Sequence, residues 1–188
     1  VDRVLPQRIA DVHREINAIL GVTALAGSPI FETNAAEPGN AGVQALREHL
    51  QVQAQMMQAR PRDGLFRLAV DRVFTLPGQG TVVTGTVFNG QVRVGDTLAH
   101  SASGRAVRVR SIHAQNQSSD SGVAGQRCAL NLAGDRVTKD ALRRGDIVLS
   151  PPLHAPSDRI DAVLCVLASE TKAIGTWFPA RLHSHAAE

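Results

Sequence analysis

From residue 66 onward the apolar residues of this chain fall on alternate positions, in short runs that continue to residue 150. Phe66, Leu68 and Val70 alternate with Arg67, Ala69 and Asp71. Val92 and Val94 lead into Gly95-Asp96, and Val107 and Val109 alternate with Arg108 and Arg110. Side chains of a strand point to opposite faces in turn, so this period calls for half-buried strands. Turn signals separate the runs. Leu76-Pro77-Gly78-Gln79-Gly80 lies between Val70-Asp71-Arg72-Val73-Phe74 and Gly80-Thr81-Val82-Val83-Thr84-Gly85-Thr86, and Asn89-Gly90 is a strong hairpin signal. Residues 128–132 and 146–149 supply further strands. The reading is a mainly β chain with one closed antiparallel β-barrel over residues 66–150. Leu68, Val70, Val82, Val92, Val109 and Leu130 are expected inside it. With 3% aromatic residues and no Tyr, that core has to rest on aliphatic side chains.

Before residue 58 the period is helical. Residues 6–20 carry Pro6 at a first helical position, Ile9, Val12, Ile16, Ile19 and Leu20 on one face, and Gly21 as a stop. A second amphipathic helix is expected over residues 42–57, with Val43, Leu46 and Leu50 in register. A short extended segment at residues 28–31 and the loop Asn34-Ala35-Ala36-Glu37-Pro38-Gly39 lie between them. An αβα order of this length suits part of an α/β domain, because one strand cannot close a sheet. The domains read as 1–58, a linker at 59–65 containing Arg60-Pro61-Arg62-Asp63-Gly64, the barrel at 66–150, and 151–188 as the truncated start of a second barrel. Strands are expected in that last piece at residues 159–167 and 180–185. With no initiator Met among its 188 residues, the chain reads as an internal fragment.

Composition excludes little and steers little. The net charge is +3, and 18 of the 20 basic residues are Arg, only Lys139 and Lys172 being Lys. Arg forks suit phosphates and carboxylates, and GC-rich coding gives the same bias. Cys128 and Cys165 read as small core residues of a reducing compartment, without metal-ligand spacing. His183 and His185 lack a third ligand. The apolar run at residues 162–168 is far too short to span a bilayer. Arg105, Arg108 and Arg110 form a short basic strand of the kind that is most often a solvated face.

Residues 66–149 closely resemble the second domain of translational GTPases, the elongation-factor barrel that binds the aminoacyl end of a tRNA. Val70-Asp71-Arg72-Val73-Phe74, Gly80-Thr81-Val82-Val83-Thr84-Gly85-Thr86, Arg110-Ser111-Ile112-His113-Ala114-Gln115-Asn116-Gln117 and Gly125-Gln126-Arg127-Cys128-Ala129-Leu130-Asn131 carry the likeness. Arg72 and Arg127 point to the selenocysteine-specific elongation factors (SelB). Trp177-Phe178-Pro179 and Leu182-His183-Ser184-His185-Ala186-Ala187 look like the start of their third domain. The resemblance makes residues 1–58 the C-terminal part of a P-loop GTPase (G) domain. Asp2 would then end the guanine-reading Asn/Thr-Lys-x-Asp motif, and Asn34, Ala35 and Ala36 would form the second guanine-contacting loop, although the family usually has Ser or Thr at Asn34.

For the barrel, the resemblance implies a selenocysteine pocket of Asp71, Arg72, His113 and Arg127. A selenol is far more acidic than a thiol and is largely anionic near neutral pH. Two guanidiniums would hold it by charge-assisted contacts. Neutral serine on the same tRNA would leave them unpaired, a basis for strong rejection. Asp71 would hold the Arg pair or take the amino group, and His113 would line the pocket.

The implied parent is a cytoplasmic translation factor. It binds GTP and Mg²⁺, hydrolyses GTP on the ribosome, and delivers selenocysteyl-tRNA at recoded UGA codons. It reads an mRNA hairpin through a part absent here, and no membrane is implied. A general translational GTPase such as elongation factor Tu or an initiation-factor relative stays open, as does a β-barrel interaction module. No GxxxxGK[ST] phosphate loop occurs in the sequence. The 188-residue chain by itself is therefore expected to need no cofactor and to hydrolyse no GTP. Phosphate and Mg²⁺ contacts carry most of the catalysis in this chemistry. Magnesium-dependent GTP turnover by the purified chain would overturn that expectation.

Overall fold

The computed structural model describes residues 1–57, 61–77, 80–167 and 170–185. They fall into two compact units, one formed by residues 1–57 with 162–167 and 170–176, the other by residues 61–161 with 177–185.

The first unit carries two helices, α1 (Pro6–Leu20) and α2 (Ala41–Met56). Pro6 opens α1. Asn40 caps α2 by accepting from the Val43 N–H at 3.2 Å. No residue of either helix is buried. Residues 28–31 are irregular, not a strand, because the described residues of this unit include no second strand to satisfy their backbone groups.

The second unit is mainly β. Its strands are β1 (Arg67–Leu76), β2 (Gly80–Asn89), β3 (Gln91–Arg93), β4 (Thr97–His100), β5 (Ala106–Ala114), β6 (Gln117–Ser119), β7 (Ser121–Val123), β8 (Arg127–Ala133) and β9 (Ile147–Leu149). All pairings are antiparallel. They run β4-β9-β1-β2-β8-β5, and β5 pairs back to β4, so six strands form a ring. β6 extends β5 as a hairpin, and β3 pairs with β7 in a separate ribbon. Leu68, Val70, Val92, Val109 and Leu130 are in the buried core, joined by Phe66, Val83, Ile112, Leu142 and Val148. Val82, expected inside, is instead covered on the outer face beside Phe74 and Thr84, because the inward position of β2 falls to Val83. Each such side chain contributes roughly 1.5–3 kcal/mol when fully buried. Cys128 is part of this core, while Cys165 is exposed, contrary to the sequence expectation.

Three expectations fail on topology. Asn89-Gly90 is not a hairpin turn. The chain turns a corner at Gly90, and β3 leaves β2 to pair with β7. The two-residue hairpin is Gln115-Asn116, with φ of 51° and 67°, joining β5 to β6. The turn expected at residues 76–80 includes Gly78 and Gln79, which lie outside the described residues. Residues 159–167 form no strand, and of residues 180–185 only Ser184 makes an isolated bridge. Val163 and Leu164 are 94% and 70% exposed. An apolar alternation yields a strand only where a partner edge exists.

Gly90 is fixed by both conformation and space. Its φ is +68°, and an added Cβ would lie 2.2 Å from the Gly64 carbonyl oxygen, where the segment before β1 crosses the end of β2. Gly95 has φ +96° with open space around it. Gly95→Ala should therefore cost only the left-handed conformation, about 1–2 kcal/mol. Gly90→Ala should cost clearly more and lower the unfolding midpoint in urea further. Equal midpoints for the two variants would show that the Gly64 crossing imposes no steric limit.

Candidate functional site

The site begins with a slip in β1. Val70 pairs with Gly85, but Arg72 pairs with Thr84, so Asp71 is an extra residue, a β-bulge. The inward positions consequently shift from Leu68 and Val70 to Val73, which packs on the core. Two consecutive residues, Asp71 and Arg72, are left outside it. The facing residue is Gly85, where a Cβ would approach the Ala69 carbonyl oxygen to 2.0 Å. The bulge thus needs a glycine opposite.

Register then assembles the side chains. Arg72 lies beside Thr84 on β2, and Thr84 lies beside Ala129 on β8. Arg127, two residues before Ala129, stands on the same outer face. Arg127 grips Asp71 with both guanidinium arms. Nη1 donates to Oδ2 and Nη2 donates to Oδ1, the latter at 2.9 Å. The Thr84 hydroxyl donates to Asp71 Oδ1 at 2.7 Å and lies 3.5 Å from Arg127 Nη2. Asp71 is 27% exposed and Arg127 53%. Burial alone would push the Asp71 carboxyl up. Hydrogen bonds from Arg127 and Thr84, with the charges of Arg127 and Arg72, outweigh it and hold the group below its ordinary value. The hydrogen bond to Asp71 pushes Arg127 higher still.

Two depressions flank this pair. Thr84, His113, Asn116 and Arg127 line one of about 200 Å³. Asp71 and Arg72 line the other with Lys139, Arg143 and Arg144. Arg127 and His113 thus share one hollow, Arg72 faces the other, and Asp71 stands between them. Sequence reading passed over Thr84, Asn116, Lys139, Arg143 and Arg144. The bulge that brings Asp71 under Thr84 leaves no local signature, since a one-residue slip is visible only against the partner strand.

In the first unit, the Val1 nitrogen donates to the Thr33 carbonyl at 3.2 Å, which sets Asp2 beside the loop beginning at Asn34. Asn34 N–H donates to Asn40 Oδ1 at 3.2 Å, and Ala36 N–H to Asn34 Oδ1 at 3.1 Å. Two of the three loop N–H groups read from sequence as guanine contacts are therefore engaged within the loop. Among the described residues no cluster of three or more His, Cys, Asp or Glu is placed to hold a metal. No described helix is long and apolar enough to cross a membrane.

Comparison with known proteins gives a consistent set of likenesses. The family profile for Elongation factor Tu domain 2 matches residues 80–149. The selenocysteine-specific elongation factor of Escherichia coli K12 is 40% identical over 186 residues, 99% of this chain and 29% of that protein. The Haemophilus influenzae protein of the same name is 44% identical over 130 residues, 69% of this chain and 20% of that one. The apo crystal structure of translation elongation factor SelB from Methanococcus maripaludis superposes with a TM-score of 0.68 at 29% identity. It covers 79% of this chain and 32% of its own. The chain thus spans less than a third of the length of these relatives.

Because the Asp71 carboxyl titrates lower in the folded chain, its stabilising contribution is present above the unfolded carboxylate value, about 3.9. It is lost as pH falls through the lower folded value. Asp71→Asn should be less stable than the parent at neutral pH by about 0.2–1 kcal/mol, the scale of a largely solvated pair. The difference should shrink towards zero in strong acid. Urea unfolding at several pH values reads this directly, and a gap that widens on acidification would contradict the assigned direction.

Proposed function

We propose, on the premise that this chain belongs to the selenocysteine-specific elongation factors among the translational GTPases, that its ring of strands holds the aminoacyl end of selenocysteyl-tRNA. The observation that carries this reading is the outward Asp71–Arg127 pair beside Arg72, on β1 and β8, the two strands that flank β2 in one sheet. Functional groups held on strands are fixed more closely than groups on loops.

The chemistry follows from charge. The contacts to Asp71 and Thr84 use three of the five N–H donors of Arg127. The rest remain to meet a selenolate, with the Arg72 charge nearby. The Asp71 carboxylate suits the amino group of the amino acid. His113 and Asn116, across the same hollow, bound the space for the side chain. Serine brings no charge and leaves the guanidiniums without the anion they are arranged for.

The ring is the β-barrel of the second domain in this reading. Residues 1–58 belong to the G domain, 59–65 are the linker, and 151–188 begin a third domain. Asp2 and the 34–36 loop would face the guanine of GTP. GTP with Mg²⁺, when bound, would supply the phosphoryl-transfer chemistry. The phosphates and the metal are held by residues that this sequence does not contain. Selenocysteyl-tRNA, the ribosome and the recoding mRNA hairpin are the proposed partners, and the cytoplasm is the proposed compartment.

In a full-length factor carrying this chain, Arg127→Ala and Arg72→Ala should each weaken selenocysteyl-tRNA much more than seryl-tRNA. The expected loss is on the order of 1.5–3 kcal/mol, the scale of a hydrogen bond to a charged group. Protection of each aminoacyl ester from hydrolysis measures both affinities. Equal weakening of the two tRNAs would make the arginines general backbone contacts and reduce the ring to an unspecialised elongation-factor barrel.

A further inference from the structure

We infer that Thr84 is a positioning residue: its hydroxyl locks the Asp71 carboxylate across Arg127, and selenocysteine-over-serine discrimination depends on that lock. This inference rests on the aminoacyl-binding reading of the site and adds a residue to it.

Geometry singles out this hydroxyl. Thr84 lies on β2 between the strand that carries Asp71 and Arg72 and the strand that carries Arg127. β2 is paired on both sides, so the backbone of Thr84 cannot shift without breaking a ladder. Its Oγ1 donates to Asp71 Oδ1 at 2.7 Å, and Nη2 of Arg127 reaches the same Oδ1 at 2.9 Å. Oδ1 thus accepts from both neighbours while Oδ2 accepts from Nη1. A carboxylate gripped by Arg127 alone can swing about its χ2 together with the long, half-exposed guanidinium. A third anchor on a rigid strand fixes the plane of the carboxylate and, through it, the direction of the arginine fork. Thr84 also borders the hollow shared with His113 and Asn116, so the lock is set at the wall of the ligand space.

The consequence is specificity more than binding strength. Contacts to the tRNA that do not involve the amino-acid side chain are indifferent to the direction of the fork. A charged side chain needs the fork aimed, and a neutral one does not. A loosened fork therefore penalises the selenolate selectively.

The test uses Thr84→Val, which keeps the shape and strand preference and removes the hydroxyl, with Thr84→Ala as a second hydroxyl-free variant and Thr84→Ser as the rescue. In the 188-residue chain, carbon-13 titration should place the Asp71 carboxyl below its ordinary carboxylate value in the parent and in Thr84→Ser. It should move up in both hydroxyl-free variants. In the full-length factor, the ratio of selenocysteyl- to seryl-tRNA affinity should fall by about three- to tenfold in the hydroxyl-free variants, part of the worth of one bond to a charged group in a half-solvated setting. Thr84→Ser should preserve it. An unmoved Asp71 titration in Thr84→Val or Thr84→Ala overturns the positioning role without reference to any tRNA. A moved titration with unchanged discrimination overturns the link to specificity. Failure of the aminoacyl-binding reading itself is recognised separately, by Arg127→Ala weakening both tRNAs alike.

Discussion

Closing a sheet into a ring makes every member strand answer to two neighbours, and in this protein the requirement falls hardest on β4. It is four residues long, yet it pairs with both β5 and β9. Without it, β5 and β9 would present open edges, which template unwanted pairing. Side-chain bonds reinforce the short ladder. His100 at the end of β4 shares a 2.7 Å hydrogen bond with Asp146, just ahead of β9, and both are buried. The second ring nitrogen of His100 lies 2.8 Å from the Ser103 hydroxyl, and Asp146 also accepts from the Arg143 N–H. Losing a partner would leave a buried polar atom unsatisfied, at a cost of roughly 1–3 kcal/mol. The junction that completes the ring is thus held by polar groups too enclosed to be replaced by water.

Ring closure also explains the bulges. A closed sheet needs its strands to tilt and bend, and extra residues supply the bend. β1 slips by one residue at Asp71, and β5 slips between Val109 and Ser111. In each strand the core-facing sequence resumes after a spacing of three: Val70 to Val73, and Val109 to Ile112. In β1 the slip turns two consecutive side chains, both charged, to the outer face. The curvature that closes the ring and the assembly of the Asp71, Arg72 and Arg127 cluster therefore have one origin. Gly85, facing the bulge, is as much a part of that cluster as the charged residues.

What the sequence disclosed and what it withheld divide along local and non-local lines. The two helices were legible because amphipathic spacing and terminal residues such as Pro6 are local properties. The long strands and the aliphatic core from Leu68 to Leu130 were legible because alternation is local too. Asn89-Gly90 misled because a turn dipeptide reports that the chain bends, not which strand it meets next. The hairpin that does form uses Gln115-Asn116, which has no glycine to advertise it. Residues 159–167 misled for a related reason, since an apolar run there finds no partner strand among the described residues. Asp71, Arg72, His113 and Arg127 were singled out through family likeness, and all four lie around Thr84: Arg72 in register with it, Asp71 bonded to it, Arg127 and His113 sharing its hollow. Thr84 itself stayed hidden because its role exists only once three strands are in register.

On the proposed reading, the exposure of the Asp71–Arg127 pair suits recognition more than stability. A fully buried pair would be held by its desolvation, and pulling one member away would leave an uncompensated charge. An isolated surface pair, by contrast, adds little and aims nothing. This pair lies between those limits. Asp71 is mostly enclosed and triply hydrogen-bonded, while Arg127 keeps half its surface in solvent. The enclosed carboxylate fixes the direction of the exposed cation. An anion approaching from solvent meets a guanidinium whose orientation has already been settled by contacts within the protein. The entropy of ordering that long side chain is then met during folding and not again at binding, so a charged ligand gains from the contact what a neutral one of similar size cannot.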